Sequence, residues 1–312
     1  LKYPCKTGFI FAKQINMQRK FILTLLTAIS ITALSAQDLR LNLFGGMANY
    51  NGDLQSKPIT FQQSRYSIGL WASYDINPYV MLRGGFHFAE LRAEDRFQKN
   101  PANQLRNLSF ATKLLEFHAG AEYHFLGMTD RVFSPYVFGA LAGFHYNPYA
   151  YDQAGNKVFL KPLSTEGQGL AGYPDRQPYS LVQFTVPLGV GVRMVLTDRI
   201  DVGAEFGYRK TFTDYMDDVS RSYVDQAVLL ASRGPKAVEM AFRTPEVPGH
   251  SIDPYPVDLE KRGGSEYKDN YYFLGVTLTY RLTGGDRSGG RSNGGGRGSK
   301  RRSGLGCPTN VF

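Results

Sequence analysis

The stretch "VQFTVPLGVGVRMVL", residues 182–196, decides how this chain is read. Val182, Phe184, Val186, Leu188, Val190, Val192, Met194 and Leu196 occupy its even positions. Gln183, Thr185, Gly189, Gly191 and Arg193 fall between them. Successive side chains point to opposite faces of a strand, whereas a helix repeats every 3.6 residues. The alternation therefore predicts a strand with one apolar face and one face of glycine, hydroxyl and charge.

Seven more stretches carry the same pattern. In 66–76, Tyr66, Ile68, Leu70, Ala72, Tyr74 and Ile76 alternate with Ser67, Gly69, Trp71, Ser73 and Asp75. In 80–88, Val80, Leu82, Phe86 and Phe88 oppose Met81, Arg83, Gly85 and His87. In 115–125, Leu115, Phe117, Tyr123 and Phe125 oppose Glu116, His118, Glu122 and His124. For 136–146 the expected outer set is Tyr136, Phe138, Ala140, Ala142, Phe144 and Tyr146. Residues 200–209 set Ile200, Val202, Phe206 and Tyr208 against Asp201, Glu205 and Arg209, and 272–282 and 39–50 complete the eight.

The expected fold is all-β: an eight-stranded antiparallel transmembrane β-barrel. A soluble lipocalin-like barrel shares the alternation but turns its apolar set inward. Two features favour the membrane. Tyr66, Tyr74, Tyr123, Tyr136, Tyr146, Tyr208, Tyr272 and Tyr280 sit at the ends of the apolar faces, as interfacial girdles do. The connections also alternate. Short turns near Asn77-Pro78, 127–131 and 197–199 separate long polar loops at about 51–64, 89–109, 147–180 and 211–269. Ten residues at ~3.3 Å rise and ~45° tilt span roughly 23 Å, close to an apolar band. Short turns and both mature termini are then expected in the periplasm.

The ends read differently. "MQRKFILTLLTAISITALSAQ" begins at Met17, with basic Arg19 and Lys20, an apolar run and small residues before Gln37. This is the pattern of a secretory signal peptide. Residues 1–36 are read as an upstream extension and signal, 37–283 as the barrel, and 284–312 as a disordered Gly/Arg/Ser-rich tail. Five basic and no acidic residues lie in 1–36, and six against one in 284–312. The body keeps 25 basic and 26 acidic residues, net −1, so the chain's +9 comes from its ends and no nucleic-acid partner is expected. Cys5 and Cys307 lie in those ends too, which leaves the body no disulfide or Cys-ligated metal.

The polar face places Arg65, Arg83, His87, Glu116, His118, Glu122, His124, Asp201, Glu205 and Arg209 in the lumen. An eight-stranded barrel is just wide enough to be filled by side chains, so a salt-bridged plug is expected. His and carboxylate together could support general-base hydrolysis of lipid, but no nucleophile stands at a motif spacing. In "TFTDYMDDVS" (211–220), Asp214, Asp217 and Asp218 lack the spacing of an EF-hand. They are read as preceding a loop helix over 222–233, with Ser222 and Asp225 as its capping box. Thr165, Glu166, Gly167, Gln168 and Gly169 form a glycine-rich turn without a phosphate-loop context. No catalytic, cofactor or metal residue is assigned, and no cofactor is expected.

"NYNGDL" (49–54), "LKPLSTEGQG" (160–169) and "YRKTFTDYMDDVSRSYVD" (208–225), in this order on an eight-stranded barrel, resemble the PorG-like outer-membrane proteins of the type IX secretion system. The resemblance covers roughly 39–283 and is most specific at 208–225. It implies a non-enzymatic barrel that associates with a periplasmic secretion-ring lipoprotein and that lipoprotein's partner, and anchors them to outer-membrane lipid. The motif residues it singles out are Tyr50, Gly52, Asp53, Thr165, Glu166, Gly167, Gln168, Gly169, Arg209, Lys210, Thr213, Asp214, Tyr215, Asp217, Asp218 and Ser220. They are expected to maintain the outer mouth, with Tyr215 as an interfacial anchor and Asp217 and Asp218 capping the loop helix. The basic tail departs from the family. A generic small barrel with an envelope-stabilising or adhesive role, and a lipid hydrolase using lumen His and carboxylates, are the alternatives.

Overall fold

The computed structural model describes residues 39–55, 57, 60–127, 132–266 and 268–282. The signal segment, the tail and most of the 127–131 turn lie outside the described residues. The strands are β1 (Leu39–Asn51), β2 (Arg65–Asp75), β3 (Val80–Glu94), β4 (Ser109–His124), β5 (Phe133–His145), β6 (Tyr149–Tyr151), β7 (Lys157–Phe159), β8 (Val182–Val195), β9 (Ile200–Thr211) and β10 (Asn270–Arg281). Eight of them pair antiparallel in the order β1-β2-β3-β4-β5-β8-β9-β10. β10 closes the barrel on β1, from Arg40↔Arg281 to Asn51↔Asn270. Closure leaves the eight barrel strands without an edge strand. The small β6–β7 hairpin hangs from β4 at Ala111↔Tyr149.

Two of the short turns, at 77–80 and 197–200, follow from side chains that imitate backbone. Asn77 Oδ1 accepts from the amides of Tyr79 (2.9 Å) and Val80 (3.0 Å), and Thr197 Oγ1 from Ile200 (3.0 Å). Such turns reverse the chain in a few residues.

The exterior is apolar and the interior polar. Phe184 and Leu141 are 77% and 73% exposed on the barrel wall, while Arg83, Glu122, Arg193 and Asp201 are buried inside. This inverts the arrangement of a water-soluble barrel and excludes the lipocalin-like alternative. Tyr66, Tyr74, Tyr123 and Tyr280 stand exposed at the ends of the band.

Strand β5 faces the opposite way from the expectation. Tyr136, Phe138, Ala140, Ala142 and Phe144 point inward, and Val137 and Leu141 point to the exterior. Tyr136 and Tyr146 are therefore core residues and not girdle residues. Neighbouring glycines explain this. A Cβ at Gly191 would stand 2.3 Å from the Tyr136 ring, and one at Gly189 2.4 Å from Phe138. β8 thus leaves inward space that only the large rings of β5 can fill. Tyr272 is also covered, because its hydroxyl accepts the Thr60 amide at 3.0 Å.

β3 and β4 run further than 80–88 and 115–125, pairing up to Glu94↔Ser109. Inward Ala89, Leu91 and Ala93 continue the alternation and are fully buried beneath the long loops. Those loops carry three short helices: α1 (Pro101–Arg106), α2 (Gln226–Arg233) and α3 (Pro235–Ala241). α2 starts four residues later than the 222–233 reading, and α1 and α3 have no apolar period to announce them. A main core of buried residues runs from Phe44 and Trp71 up to Tyr146, Met216 and Met240. A second, smaller core joins Leu170 and Tyr173 to Val224 and Leu229 of the α2 region and to Ala237 and Ala241 of α3.

Candidate functional site

Two polar assemblies bring the sequence-selected residues together: a sealed lumen and a cap over the long-loop end. In the lumen, Arg83 reaches across the barrel to Glu205 with two hydrogen bonds (2.8 and 3.2 Å) and lies 3.3 Å from Glu122. Its guanidinium sits between the Trp71 and Phe138 rings, 4.3 Å from each. Tyr136 also donates to Glu205 (2.8 Å). Glu122 pairs with Arg193 (3.1 Å) and His124 (3.2 Å). Glu116 takes the Tyr271 hydroxyl (2.7 Å) and Arg209 Nε (3.4 Å), with His87 and His118 beside it. Asp201 is held by Arg40 (3.2 Å) and Arg281 (3.4 Å) near the short-turn end.

Arg65 is not in this assembly. It ends β2 at the long-loop rim, half-exposed, with Glu90 at 3.6 Å. It shares the lumen parity of β2, but its partner Glu90 lies on the outward parity of β3. Arg40, Arg193, Tyr136 and Tyr271 belong to the network although the sequence reading did not select them. The alternation did put Arg193 on the polar face. Arg40 needed a facing for β1, Tyr136 looked like a girdle residue, and Tyr271 was not singled out.

Ser134, His124 and Glu122 form a relay, with Ser134 Oγ 3.2 Å from His124 Nδ1 and Glu122 on Nε2. The three are buried, and the Tyr136 ring packs 4.9 Å from His124. Arg193 also holds Glu122, at 3.1 Å. The three side chains are packed into the charged interior.

The cap is built from the three quoted motifs. The Tyr50 hydroxyl lies within hydrogen-bond distance of both Asp217 (2.6 Å) and Asp269, with one proton to donate between them. Gly52 leaves the room for this, since a Cβ there would stand 2.0 Å from Asp269 Oδ1. Asp218 accepts from Thr165 (2.5 Å) and Tyr179 (2.7 Å). Glu166 accepts from the amides of Ser220 and Arg221 (3.0 Å each) and from Arg262 (3.1 Å). Ser220 donates to Asp214 (2.6 Å), and Asp53 accepts the Gly264 amide (2.9 Å). Gln168 Oε1 takes the Glu166 amide (3.2 Å) and Thr213 Oγ1 the Tyr215 amide (3.2 Å). Gly167 and Gly169 shape the turn with φ of +78° and +75°. Lys210 stands apart, exposed on the outer wall.

Two expected roles are corrected here. Asp217 and Asp218 do not cap the loop helix. Asp225 does, accepting the Val228 amide at 2.9 Å, and Ser222 is occupied by Arg176 (2.8 Å). Tyr215 is no lipid anchor either. It stacks on Tyr179, 5.0 Å away and 8° from parallel, inside the cap. A stretch so rich in aspartate leaves the strand because it enters a buried hydrogen-bonding core.

Burial raises the acids of this cap. The Asp214 carboxyl is pushed up to about 7 and that of Asp218 to about 6. Asp217 and Asp269 are raised by burial and, for Asp217, next by the Asp269 charge. Tyr50 has one hydroxyl proton for two carboxylates, so the pair favours holding a proton of its own. Arg262, Tyr179 and Asp269 complete the cap although no motif or period marks them in sequence.

A family described as outer membrane protein beta-barrel domain matches residues 21–228, well over half the chain. No curated protein matches the sequence. Among solved structures, the fold is similar to Neisserial surface protein A, at 12% identity and a TM-score of 0.38, covering 78% of this chain and 97% of that one. It is similar to Ail, the attachment invasion locus protein of Yersinia pestis, solved in complex with the heparin analogue sucrose octasulfate (10% identity, TM-score 0.35, 78% and 98% covered). OprG from Pseudomonas aeruginosa is a third (11%, 0.34, 78% and 97%). The closed eight-stranded barrel, its apolar wall and its paired interior agree with the matched family, and the chain belongs to the outer membrane protein beta-barrel domain family as an integral outer-membrane protein.

Proposed function

We propose that the protein is a non-enzymatic scaffold that anchors a protein-secretion assembly to the outer membrane. The filling of the lumen carries this reading. Arg83, Arg193, Arg209, Glu116, Glu122 and Glu205 are buried in mutual pairs, which leaves no route for solute or substrate. A barrel so closed acts through its ends. The resemblance of 49–54, 160–169 and 208–225 to PorG-like proteins selects the type IX system. It also selects the partners, a periplasmic ring lipoprotein and its companion. In this reading the short turns and both mature termini face the periplasm, the cap faces outward, and outer-membrane lipid surrounds the wall. Tyr79, Leu126 and Leu196 are exposed at the short-turn end and form the contact surface.

The test is a cross-linking pulldown from outer membranes of the native cells, with a photoreactive group at Tyr79 and another at Asp198. Recovery of the ring lipoprotein from these positions supports the anchor. A folded barrel recovered without ring proteins sinks it. A second reading, an adhesive or envelope-stabilising barrel acting through its loops, is favoured by Ile252, 92% exposed, and by exposed Val257 and Leu259 on the cap. Cross-links from Ile252 to surface components, with none from the turns, would select that reading.

A further inference from the structure

The register of two neighbouring strands gathers three metal-ligating side chains inside the barrel. His87 of β3 lies directly opposite Glu116 of β4, and His118 is two residues further along β4 on the same face. Their exposures are 1%, 0% and 2%. His87 Nδ1 stands 3.5 Å from Glu116 Oε1, and His118 Nδ1 stands 4.0 Å from the same oxygen. One ligand atom from each residue lies within 4.8 Å of the others. The two imidazoles face one another at 5.1 Å, 25° from parallel.

The polar atoms here are under-satisfied. His87 Nδ1 and Glu116 Oε1 have only their long 3.5 Å approach to each other, and His87 Nε2 and both ring nitrogens of His118 have no hydrogen-bond partner. Buried polar atoms are almost always paired, so His118 Nδ1, left without a partner beside the long His87–Glu116 contact, marks room for an occupant between the two Nδ1 atoms and Glu116 Oε1. The other oxygen of Glu116 is, by contrast, fixed by Tyr271 (2.7 Å) and Arg209 (3.4 Å). One oxygen held and one presented is the arrangement of a monodentate carboxylate ligand oriented by its outer hydrogen bonds. Phe44 and Phe273, at 5.5 and 5.2 Å from the His87 ring, wall the site with groups that cannot satisfy it.

We propose that His87, Glu116 and His118 bind a divalent first-row transition-metal ion of the zinc type. With ligand atoms about 2.1 Å from one ion, the two contacts to Glu116 subtend about 113° and 145°, and the imidazole nitrogens, within 4.8 Å of each other, close to about 3.4 Å in a tetrahedral site whose fourth position takes water. Two imidazoles disfavour calcium and magnesium, which prefer oxygen. Arg83 is neutralised by Glu205 and Glu122, whereas Arg209 shares Glu116 with the ion and weakens its hold. The ion staples β3 to β4 in mid-lumen.

The test uses the full chain without a histidine tag, refolded into detergent with Zn2+ or Co2+ and desalted. Folding is confirmed by heat-modifiable migration, and metal is measured by elemental analysis and Co2+ visible absorption. The expected result is about one ion per barrel with the intense bands of a four-coordinate nitrogen/oxygen site, lost in His118→Gln and Glu116→Gln. Folded wild-type protein that holds no ion overturns the proposal, and lumen water then satisfies these atoms. Folded variants that retain the same Co2+ spectrum overturn it equally. If the variants do not fold, the wild-type spectrum decides alone.

Discussion

Replacing Glu205 by glutamine keeps the side chain's size and removes one negative charge from the middle of the lumen. The carboxylate now accepts two bonds from Arg83, at 2.8 and 3.2 Å, and one from Tyr136, at 2.8 Å. The amide of glutamine must aim a donor at one of these donors. One charge-assisted bond is lost outright and the other weakened, and such bonds are worth about 1.5–3 kcal/mol each. Breaking a buried pair completely costs about 3–5 kcal/mol, but Arg83 keeps Glu122 at 3.3 Å. The expected loss is therefore about 3 kcal/mol, at the low end of that range. The chain's single tryptophan, Trp71, lies 4.3 Å from the Arg83 guanidinium, so its fluorescence reports the site itself. Urea titration of the refolded barrel, followed by Trp71 emission and by heat-modifiable migration, measures the change. The double variant Arg83→Met, Glu205→Leu leaves neither partner of the pair unpaired and should cost less than the sum of the single changes. A Glu205→Gln loss below about 1 kcal/mol, with additive singles, would refute a dry, paired lumen.

Val190→Arg puts a charge on the lipid face of β8, opposite Val137 and Phe206. It should cost about 2–4 kcal/mol and block assembly into vesicles, and a variant that inserts normally would show that the assigned facing is wrong. Gly191→Val drives a side chain into the Tyr136 ring. A loss of about 1–3 kcal/mol in the same urea titration is expected, and an unchanged midpoint would mean that β5 does not turn Tyr136 inward. The cap should loosen as pH rises. Asp214 and Asp218 have folded pKa values of about 7 and about 6, above the ordinary aspartate value, so the folded state binds more protons than the unfolded between roughly pH 4 and 7. Their contribution is complete below that window and lost as pH climbs through it. Protease nicking of the 211–269 loop should accelerate from pH 5 to pH 8, and Asp214→Asn should flatten the profile; pH-independent nicking contradicts the burial of these acids.

The strands were legible because alternation is local. "VQFTVPLGVGVRMVL" needs no partner to declare two faces, and seven similar stretches joined by alternating short and long connections imply closure. "YVFGALAGFH" (136–145) defeated the same reading because both of its faces are apolar. Its orientation depends on Gly189 and Gly191 of the neighbouring strand, which is packing information that no single strand contains.

The candidate site divides along the same line. That charges and histidines enter the lumen followed from strand parity. That Arg83 meets Glu205 follows from the barrel's radius, since β3 and β9 are not neighbours. The cap was least legible. Thr165 and Asp218, 53 positions apart, or Tyr50 and Asp269, 219 apart, meet only after closure brings every long loop to one rim. Sequence alone determined the strands, the facing of most of them and the polarity of the interior, because a pleated backbone imposes a period of two wherever one side meets lipid. Tertiary structure alone decided which charges pair, which way β5 turns and what the aspartates of 211–220 are for, because those outcomes depend on distances across a closed barrel and leave no period in the chain.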